Sequence, residues 1–290
     1  MSKKKYLFIG LGTMGFHMAG HLTRSKHEIH VFNRSYLKAK GWTKTHKGFA
    51  IKSLNNLSQS YDGIFLCLKD DDAISDILFK SKLIESIKAG AFIVDHSTTS
   101  LKLVNRIISD NQIAAKKITF FDAPISGGEA GAINGTLSVM LGGGNKNILI
   151  VRKLIKTFAK NIVHVGPNGH GQLTKMINQI CIAGLLQGLS EALSFGSQKK
   201  LDMNKVLDAI SQGAAQSWQM ENRAETMLNN KFNFGFAVDL MIKDLKIALL
   251  EAKSLDLNLQ TTKDVLDRYN KLSKNGFGNL DTSSLIKLLK

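Results

Sequence analysis

The chain has 290 residues, 43% of them hydrophobic and 21% charged, which is typical of a globular protein long enough for two domains. Its formal net charge is +16, but the 39 Lys and Arg residues are spread without a dense tract, so we expect a solvated basic surface and no nucleic-acid partner. The two cysteines, Cys67 and Cys181, lie in apolar runs and are predicted to be reduced core residues rather than a disulfide.

The sequence predicts neither an export signal nor a membrane span. Three lysines near the start lead into an apolar stretch, residues 6–9, that is too short for a signal peptide. The most apolar long segment, residues 177–195, contains several amides and Glu191, so we expect it to be buried in protein rather than in lipid. These features predict a cytoplasmic protein with no membrane partner.

Residues 1–166 alternate short apolar runs with helix-like stretches. The predicted strands are residues 6–9, 28–32, 63–68, 91–94, 118–121 and 137–141. Helical patterns lie between the early strands, at residues 14–24 and 73–87. Several of the strands are apolar throughout, as strands covered on both faces must be. The alternation predicts an α/β, doubly wound domain with a mainly parallel sheet.

The pattern changes after Gly166 and Pro167, where the strand signals end. Helical patterns follow at residues 172–199, 206–210, 218–228 and 239–255. The sequence therefore predicts two domains, an α/β domain over residues 1–166 and an all-α domain over residues 167–290. The segment 172–199 would form one long helix beginning at this boundary.

A glycine-rich motif, Gly10-Leu11-Gly12-Thr13-Met14-Gly15, follows the first predicted strand and precedes a helix. In this G-x-G-x-x-G spacing the first glycine permits a tight turn and the second lets the backbone approach a pyrophosphate. The third allows close packing of the helix against the strand. The free N–H groups at the start of the helix favour an anion. The motif predicts dinucleotide binding by all six of its residues.

The residues after the second predicted strand bear on the choice of cofactor. An acidic side chain at this position holds the ribose 2′-hydroxyl of NAD(H), whereas this chain has Asn33 and Arg34, followed by Ser35 and Lys38. A guanidinium can bind a 2′-phosphate through two hydrogen bonds. We therefore expect NADP(H) to be preferred. NAD(H) remains possible if Arg34 only covers the adenine.

A second glycine-rich segment, residues 122–137, begins directly after an apolar strand. Consecutive backbone N–H groups at Ser126, Gly127 and Gly128 would suit a carboxylate. On physical grounds alone, a purely structural loop is an equal alternative.

Further along lie Gly169-His170-Gly171-Gln172-Leu173-Thr174-Lys175-Met176-Ile177-Asn178 and Lys243-Asp244-Leu245. With the two glycine-rich segments, in this order and spacing, the chain resembles the β-hydroxyacid dehydrogenase family. That family includes 3-hydroxyisobutyrate dehydrogenases and glyoxylate/succinic semialdehyde reductases. The resemblance implies a Rossmann domain, a long interdomain helix and a helical domain that builds homodimers or homotetramers. It also implies that Ser126, Gly127 and Gly128 bind the substrate carboxylate.

Lys175 and Asn178 are three residues apart and share one face of the predicted helix. Reduction of a carbonyl needs a proton donor at its oxygen, and Lys175 is a candidate for that donor. A free lysine has a pKa of about 10.4, so burial or a nearby cation such as Lys243 would have to lower it. The resemblance implies that Lys175 is catalytic, and we expect Asn178 to orient it and to bond the reacting hydroxyl.

Four further residues complete the predicted site. The resemblance implies that Lys243 reaches the cofactor or substrate, that Phe236 forms a pocket wall, and that Thr98 contacts the cofactor. Leu68 is added because it follows a strand, at the edge where an open α/β sheet binds its ligand. The expected substrate is a small anionic hydroxy acid or the corresponding semialdehyde or keto acid.

Other constellations are not interpreted as sites. His17 and His21 lack a third metal ligand, so no metal is expected. Residues 95–97 contain the letters of a hydrolase triad, but neighbours in sequence rarely converge. Residues 70–72 are predicted to cap a helix. The alternative function is a catalytically inactive nucleotide-binding or nucleic-acid-associated module of the same fold, against which Lys175 and Asn178 argue.

Overall fold

The computed structural model describes residues 3–55, 57 and 60–289. The chain divides into two compact units, Met1–Lys175 and Met176–Lys290. This division falls within one long helix, His170–Gln198, which belongs to both units. The domain boundary predicted after residue 166 lies shortly before that helix and stays a prediction.

Within the described part of the first unit, nine strands form one sheet. The strands are β1 Lys5–Ile9, β2 Glu28–Phe32, β3 Phe49–Ile51, β4 Tyr61–Leu66, β5 Ile87–Asp95, β6 Thr119–Asp122, β7 Ile125–Ser126, β8 Leu137–Gly143 and β9 Ala159–Gly166. Their order is β3-β2-β1-β4-β5-β6-β8-β7, and β9 pairs with β8. Strands β1 to β6 are parallel, so their carboxyl ends lie at one edge.

The far side of the sheet is mixed, since β9 pairs with β8 in parallel whereas the other pairs of β8 are antiparallel. Both β6 and β7 pair with β8, with Asp122 opposite Gly142 and Ile125 opposite Val139. Because the two pairings share one register, β7 continues the line of β6 after a break at Ala123 and Pro124. This arrangement brings the second glycine-rich segment to the same edge as the carboxyl ends of β1 to β6.

Helices cover both faces of this sheet. They are α1 Thr13–Leu22, α2 Tyr36–Thr45, α3 Asp71–Ser75, α4 Leu101–Ile108, α5 Asn111–Ala115, α6 Gly128–Asn134 and α7 Ile148–Ile155. Alternate residues of β1 face opposite sides, since Tyr6 and Phe8 belong to one apolar core and Leu7 and Ile9 to the other. The predicted fold class, a doubly wound sheet buried on both faces, is confirmed.

Several predicted elements differ in detail from the structure. The helix expected over residues 73–87 is correct only in its first half, because α3 and the π-helical turn Asp76–Lys80 that follows it end at Lys80, and Ile87 begins β5. Ser81 is extended at the end of this turn, where its hydroxyl donates to the carbonyl of Ile77 at 2.7 Å and accepts from the N–H of Leu83 at 3.1 Å. These local bonds replace helical ones. Strands β3, β7 and β9 had not been predicted.

The second unit is helical, as predicted. After α8 His170–Gln198 come α9 Met203–Ile210, α10 Trp218–Leu228, α11 Val238–Ser254 and α12 Gln260–Leu272, and a 3-10 segment, Thr282–Leu289, ends the described chain. One of its two apolar cores is built on Leu186, Met241, Leu245 and Tyr269. Among the described residues of this unit, β pairing is limited to an isolated bridge between Ala237 and Asp281.

Helix α8 is long and apolar enough to cross a membrane by length and composition, with a mean hydropathy of 1.2 in its most apolar stretch. A single helix of this kind is weak support for a membrane span, because core helices of soluble proteins share these properties. Gln179 and Ser190 on α8 are buried against protein. Cys181 on the same helix is exposed, so its predicted core position is wrong. Its apolar neighbours in sequence lie partly on the exposed face.

Candidate functional site

The glycine turn after β1 has the backbone geometry that a phosphate-binding turn needs. Gly10 has a φ of +99°, and a Cβ there would lie 2.2 Å from the carbonyl oxygen of Cys67. A Cβ on Gly15 would lie 1.9 Å from the carbonyl oxygen of Gly10, so α1 approaches β1 closely. Gly12 is exposed, with no atom within 4 Å of where its Cβ would be. A dinucleotide fits this turn because Gly12 leaves the backbone open to it.

Asn33 braces this turn from the end of β2. Its Oδ1 accepts a hydrogen bond from the N–H of Leu11 at 3.0 Å, and its Nδ2 donates to the carbonyl of Ser35 at 3.2 Å. Asn33 therefore links the first glycine turn to the residues that are expected to select the cofactor. This bracing position was not foreseen when Asn33 was predicted to bind the cofactor directly.

The residues predicted to receive a 2′-phosphate are all exposed. Arg34, Ser35 and Lys38 lie at the end of β2 and the start of α2. Of the three, Lys38 lines a pocket of about 390 Å³, whose other lining residues include Leu11, Gly12, Thr13 and Glu129. Lys38 thus shares a pocket with the open glycine of the turn, as expected for two parts of one anion site.

Two loops at the carboxyl ends of β4 and β5 are joined through Ser97. The N–H of Leu68 donates to the Ser97 hydroxyl at 2.8 Å, and the N–H of Ser97 donates to Asp95 Oδ1 at 2.9 Å. Burial raises the pKa of Asp95 to about 7, against the opposing effect of its hydrogen bonds from Ser97. Leu68 and the half-buried Thr98 therefore lie on braced loops at the expected edge.

Asp122, at the end of β6, anchors the start of α8. Its carboxylate accepts hydrogen bonds from the N–H groups of Gly169, at 2.8 Å, and Gln172, at 3.0 Å. These are among the helix-end donors that would otherwise lack partners. A Cβ on Gly171 would lie 2.4 Å from the carbonyl oxygen of Asp122, so the first turn of α8 lies directly on the sheet. Burial raises the pKa of Asp122 despite these bonds.

Gln172 connects the same helical turn to the loop that carries Thr98. Its Nε2 donates to the carbonyl of Ser97 at 2.8 Å, and its Oε1 accepts from the N–H of Thr99 at 3.1 Å. The side chain is fully buried. Asp122 and Gln172 were not among the predicted site residues, although both lie within the segments that carry the family resemblance. The available signal was that each is a polar residue within a motif. The hydrogen-bond partners of both residues, however, are distant in sequence.

Lys175 lies one helical turn beyond Gln172 and is 7% exposed. Its ammonium donates a hydrogen bond to the carbonyl of Ile125 at 2.9 Å. Ile125 immediately precedes Ser126 in β7, and Gly127 follows with a φ of +122°. The structure thus brings the predicted catalytic lysine to the glycine-rich segment predicted to bind a carboxylate. Both glycines, Gly127 and Gly128, adopt positive φ values that other residues rarely take.

In the second unit, Asn178 and Lys243 are linked through two other residues. Asn178 Nδ2 donates to Gln179 Oε1 at 2.8 Å, and Gln179 Nε2 donates to Asp244 Oδ2 at 2.7 Å. The Lys243 ammonium lies 2.9 Å from Asp244 Oδ1. Gln179 and Asp244 were not predicted as site residues, yet they connect two residues that were.

Phe236 lies on a loop held by a buried carboxylate of the same unit. Asp281 Oδ2 accepts from the N–H of Phe236 at 2.9 Å, and Asp281 Oδ1 lies 3.2 Å from Arg223 Nε. A Cβ on Gly235 would lie 2.0 Å from Asp281 Oδ2, so the loop requires glycine there. The backbone of the predicted pocket wall is therefore fixed by polar contacts.

The residues of the constellations that were not interpreted as sites make other contacts in the structure. His96 Nδ1 lies 2.7 Å from the carbonyl oxygen of Ala123, whereas Ser97 binds Asp95, so no triad forms. His21 Nε2 lies within hydrogen-bonding distance of two carbonyl oxygens and is a donor there. In the described ranges, no cluster of three or more potential metal ligands occurs. Asp70 accepts from the N–H of Ala73 at 3.0 Å, which confirms the predicted helix cap.

A glycine turn between a parallel strand and a helix, on a doubly wound sheet, defines a dinucleotide-binding protein. Comparison with known families gives the particular one. Residues 5–166 match the NAD-binding domain of 6-phosphogluconate dehydrogenase, and residues 169–289 match the NAD-binding domain of NADP-dependent 3-hydroxyisobutyrate dehydrogenase. The chain belongs to the β-hydroxyacid dehydrogenase family. It is therefore an NAD(P)-dependent oxidoreductase of the hydroxy-acid dehydrogenase class.

Two relatives and one solved structure match this chain over nearly their whole lengths. An uncharacterized oxidoreductase of Shewanella frigidimarina is 43% identical, over 99% of this chain and 98% of its own. The 2-hydroxy-3-oxopropionate reductase of Escherichia coli is 35% identical, over 98% of this chain and 96% of its own. The structure of Mycobacterium tuberculosis 3-hydroxyisobutyrate dehydrogenase superposes with a TM-score of 0.86 at 23% identity and covers all of both chains.

Proposed function

We propose that this protein interconverts a small hydroxy acid with its semialdehyde or keto acid, prefers NADP(H), and uses Lys175 as general acid and base. The observation that carries the proposal is the contact of the buried Lys175 ammonium with the carbonyl of Ile125, directly beside Ser126. A cation held there lies next to backbone donors suited to a carboxylate. The relative in Escherichia coli is named for a substrate of this chemical class.

In the proposed mechanism, the bound nicotinamide supplies or accepts the hydride. The N–H groups of Ser126, Gly127 and Gly128 bind the substrate carboxylate, which fixes the distance between the carbonyl and Lys175. The Lys175 ammonium donates a proton to the carbonyl oxygen during reduction and takes it back during oxidation. Its hydrogen bond to Ile125 restrains the ammonium in position. Asn178 bonds the reacting hydroxyl.

The sharpest test replaces Lys175 by methionine, which keeps the length of the side chain and removes the proton donor. The substrates are glyoxylate and the semialdehydes of succinate, tartronate and methylmalonate. We expect kcat to fall by about 100-fold or more. Lys160→Met, at an exposed lysine of β9, is the matched control and should keep full turnover. Equal turnover in both variants would refute the role of Lys175 as general acid.

The cofactor preference depends on the exposed cations after β2. No ion pair engages Arg34 within the described structure, so its guanidinium is available for a 2′-phosphate. Arg34→Asp should reverse the ratio of kcat/KM for NADPH and NADH, because a carboxylate repels the phosphate and accepts from a 2′-hydroxyl. Arg24→Asp, an equal change of charge at another exposed arginine, should leave the ratio unchanged. A ratio unaffected by Arg34→Asp would refute the assignment.

We further propose a homodimer or homotetramer in the cytoplasm, with no nucleic-acid partner. Ile177, Leu185 and Phe195 on α8 are 62%, 48% and 66% exposed, and a second copy of the chain would cover them. Sedimentation velocity tests the assembly, and a monomer at micromolar concentration would contradict it. Titration with duplex DNA at physiological salt tests the absence of nucleic-acid binding.

A further inference from the structure

The second unit contains a chain of hydrogen-bonded polar groups, and the carboxylate at one end determines which group donates in each bond. Gln179 and Asp244 are each 1% exposed. Gln179 Nε2 donates to Asp244 Oδ2 at 2.7 Å, and Gln179 Oε1 accepts from Asn178 Nδ2 at 2.8 Å. The other carboxylate oxygen of Asp244 lies 2.9 Å from the Lys243 ammonium.

The chemistry of these groups permits only one assignment of donors and acceptors along the chain. An ionised carboxylate accepts hydrogen bonds and cannot donate them, so the glutamine must present its NH2 group to Asp244. The amide oxygen of Gln179 then faces Asn178, which must offer its own NH2 group in turn. Reversing the amide of Asn178 would set its oxygen against the Gln179 oxygen at hydrogen-bonding distance, and would leave the buried Gln179 amide without that donor.

We propose that Gln179, directed by Asp244, is a positioning residue that fixes the orientation of the Asn178 carboxamide. The inference rests on the proposed function, in which Asn178 bonds the reacting hydroxyl. One N–H of Asn178 is committed to Gln179, so its second N–H and its Oδ1 keep fixed directions for the substrate. The orientation of the half-buried Asn178 amide is thereby set before substrate binds, which favours the reactive geometry.

The first test removes the link without touching the pair of Asp244 and Lys243. Gln179→Met keeps the volume and lies against Met241, whose sulfur is 3.8 Å from Gln179 Nε2. We expect kcat to fall by about tenfold or more, with the Kd for NADPH changed by less than about twofold. In an Asn178→Ala background, the same substitution should change kcat by less than about twofold, because no amide remains to be positioned.

The second test transposes the charge. The double variant Gln179→Glu with Asp244→Asn moves the carboxylate to position 179, where it again accepts from Asn178, while the new amide at 244 donates to it. We expect kcat within about threefold of wild type, whereas Gln179→Glu alone, with two facing carboxylates, should be strongly impaired. Melting temperatures of all variants separate loss of folding from loss of positioning. If Gln179→Glu alone does not fold, the Gln179→Met comparison still decides.

Two outcomes would overturn the inference. One is an equal loss of kcat from Gln179→Met with and without Asn178, since a purely structural role would act in both backgrounds. The other is a folded double variant as impaired as Gln179→Met. Lys175→Met, assayed in parallel, separates this failure from failure of the proposed function. If Lys175→Met keeps full turnover, the function itself is wrong, whereas its inactivity beside either outcome above refutes only the role of Gln179.

Discussion

Asp95 gives a quantitative prediction about stability, because its carboxylate is fully buried at the end of β5. Its Oδ1 accepts from the N–H of Ser97, whereas Oδ2 has no hydrogen-bond partner in the described structure. Burial raises the pKa of Asp95 to about 7, and the nearby Asp122 acts in the same direction. The folded protein therefore holds this proton more tightly than the unfolded chain does.

The sign and size of the effect follow from linkage. An unfolded aspartate has a pKa of about 3.9, so the unfolded chain loses the proton first as pH rises, and the free energy of unfolding declines between about pH 4 and pH 7. With a folded pKa of about 7, the titration of Asp95 lowers the free energy of unfolding by about 1.5 kcal/mol at pH 5 and about 4 kcal/mol at pH 8. Asp95→Asn removes this titration, so its stability relative to wild type should rise by about 2.5 kcal/mol between these pH values.

Urea unfolding of the first unit measures this difference. Trp42 lies in that unit and is one of two tryptophans, so a Trp218→Phe background makes its fluorescence report the first unit alone. Any pH-independent cost of the new amide cancels in the comparison between pH 5 and pH 8. Asp72→Asn, at an exposed carboxylate of the same unit, should shift stability by less than about 0.5 kcal/mol at either pH. A relative stability of Asp95→Asn that does not change with pH would refute the reasoning.

Two further predictions concern the start of α8. Gly171→Ala should destabilise the first unit by more than about 2 kcal/mol in the same fluorescence assay, because its Cβ would lie 2.4 Å from a backbone oxygen, whereas Gly144→Ala, with open space at its Cβ, should have little effect. Gln172→Leu should cost about 2 to 4 kcal/mol, since it leaves a buried carbonyl and a buried N–H of the β5 loop without partners. Equal stability of the two glycine variants, or no loss from Gln172→Leu, would contradict these contacts.

The elements that the sequence predicted well are those determined by local pattern. The glycine turn, the strand β2 Glu28–Phe32 and the helix α10 Trp218–Leu228 have the predicted bounds, because apolar periodicity and turn residues specify them within a few positions. Strands β3, β7 and β9 were missed because β7 has only two residues, β3 and β9 contain exposed residues, and each depends on its neighbour for pairing. The helix predicted over residues 73–87 ends early, at Lys80, because the side chain of Ser81 competes with the helix for backbone groups.

The candidate site was predictable only where a side chain or glycine sits in a recognisable motif. Lys175 and the segment 126–128 could be named from the sequence, and the structure brings them together through Ile125. The roles of Asp122 and Gln172 could not be deduced, since their partners lie about 50 to 75 residues away and no spacing encodes such contacts. Buried polar side chains have to find partners, but the sequence does not say which ones.

The polar face of α8 explains how an otherwise apolar helix can hold Lys175, the proposed general acid and base, in one orientation. Gln172, Lys175 and Gln179 are buried and lie three and four residues apart, so they share one face. Apolar side chains could pack at several slightly different rotations of the helix, whereas each of these polar groups is satisfied only near one. Asp122 binds backbone N–H groups of the first turn, and Asp244 binds Gln179 two turns later. Each carboxylate fixes the part of the helix that belongs to its own unit, and Lys175 lies one turn beyond the part that Asp122 fixes.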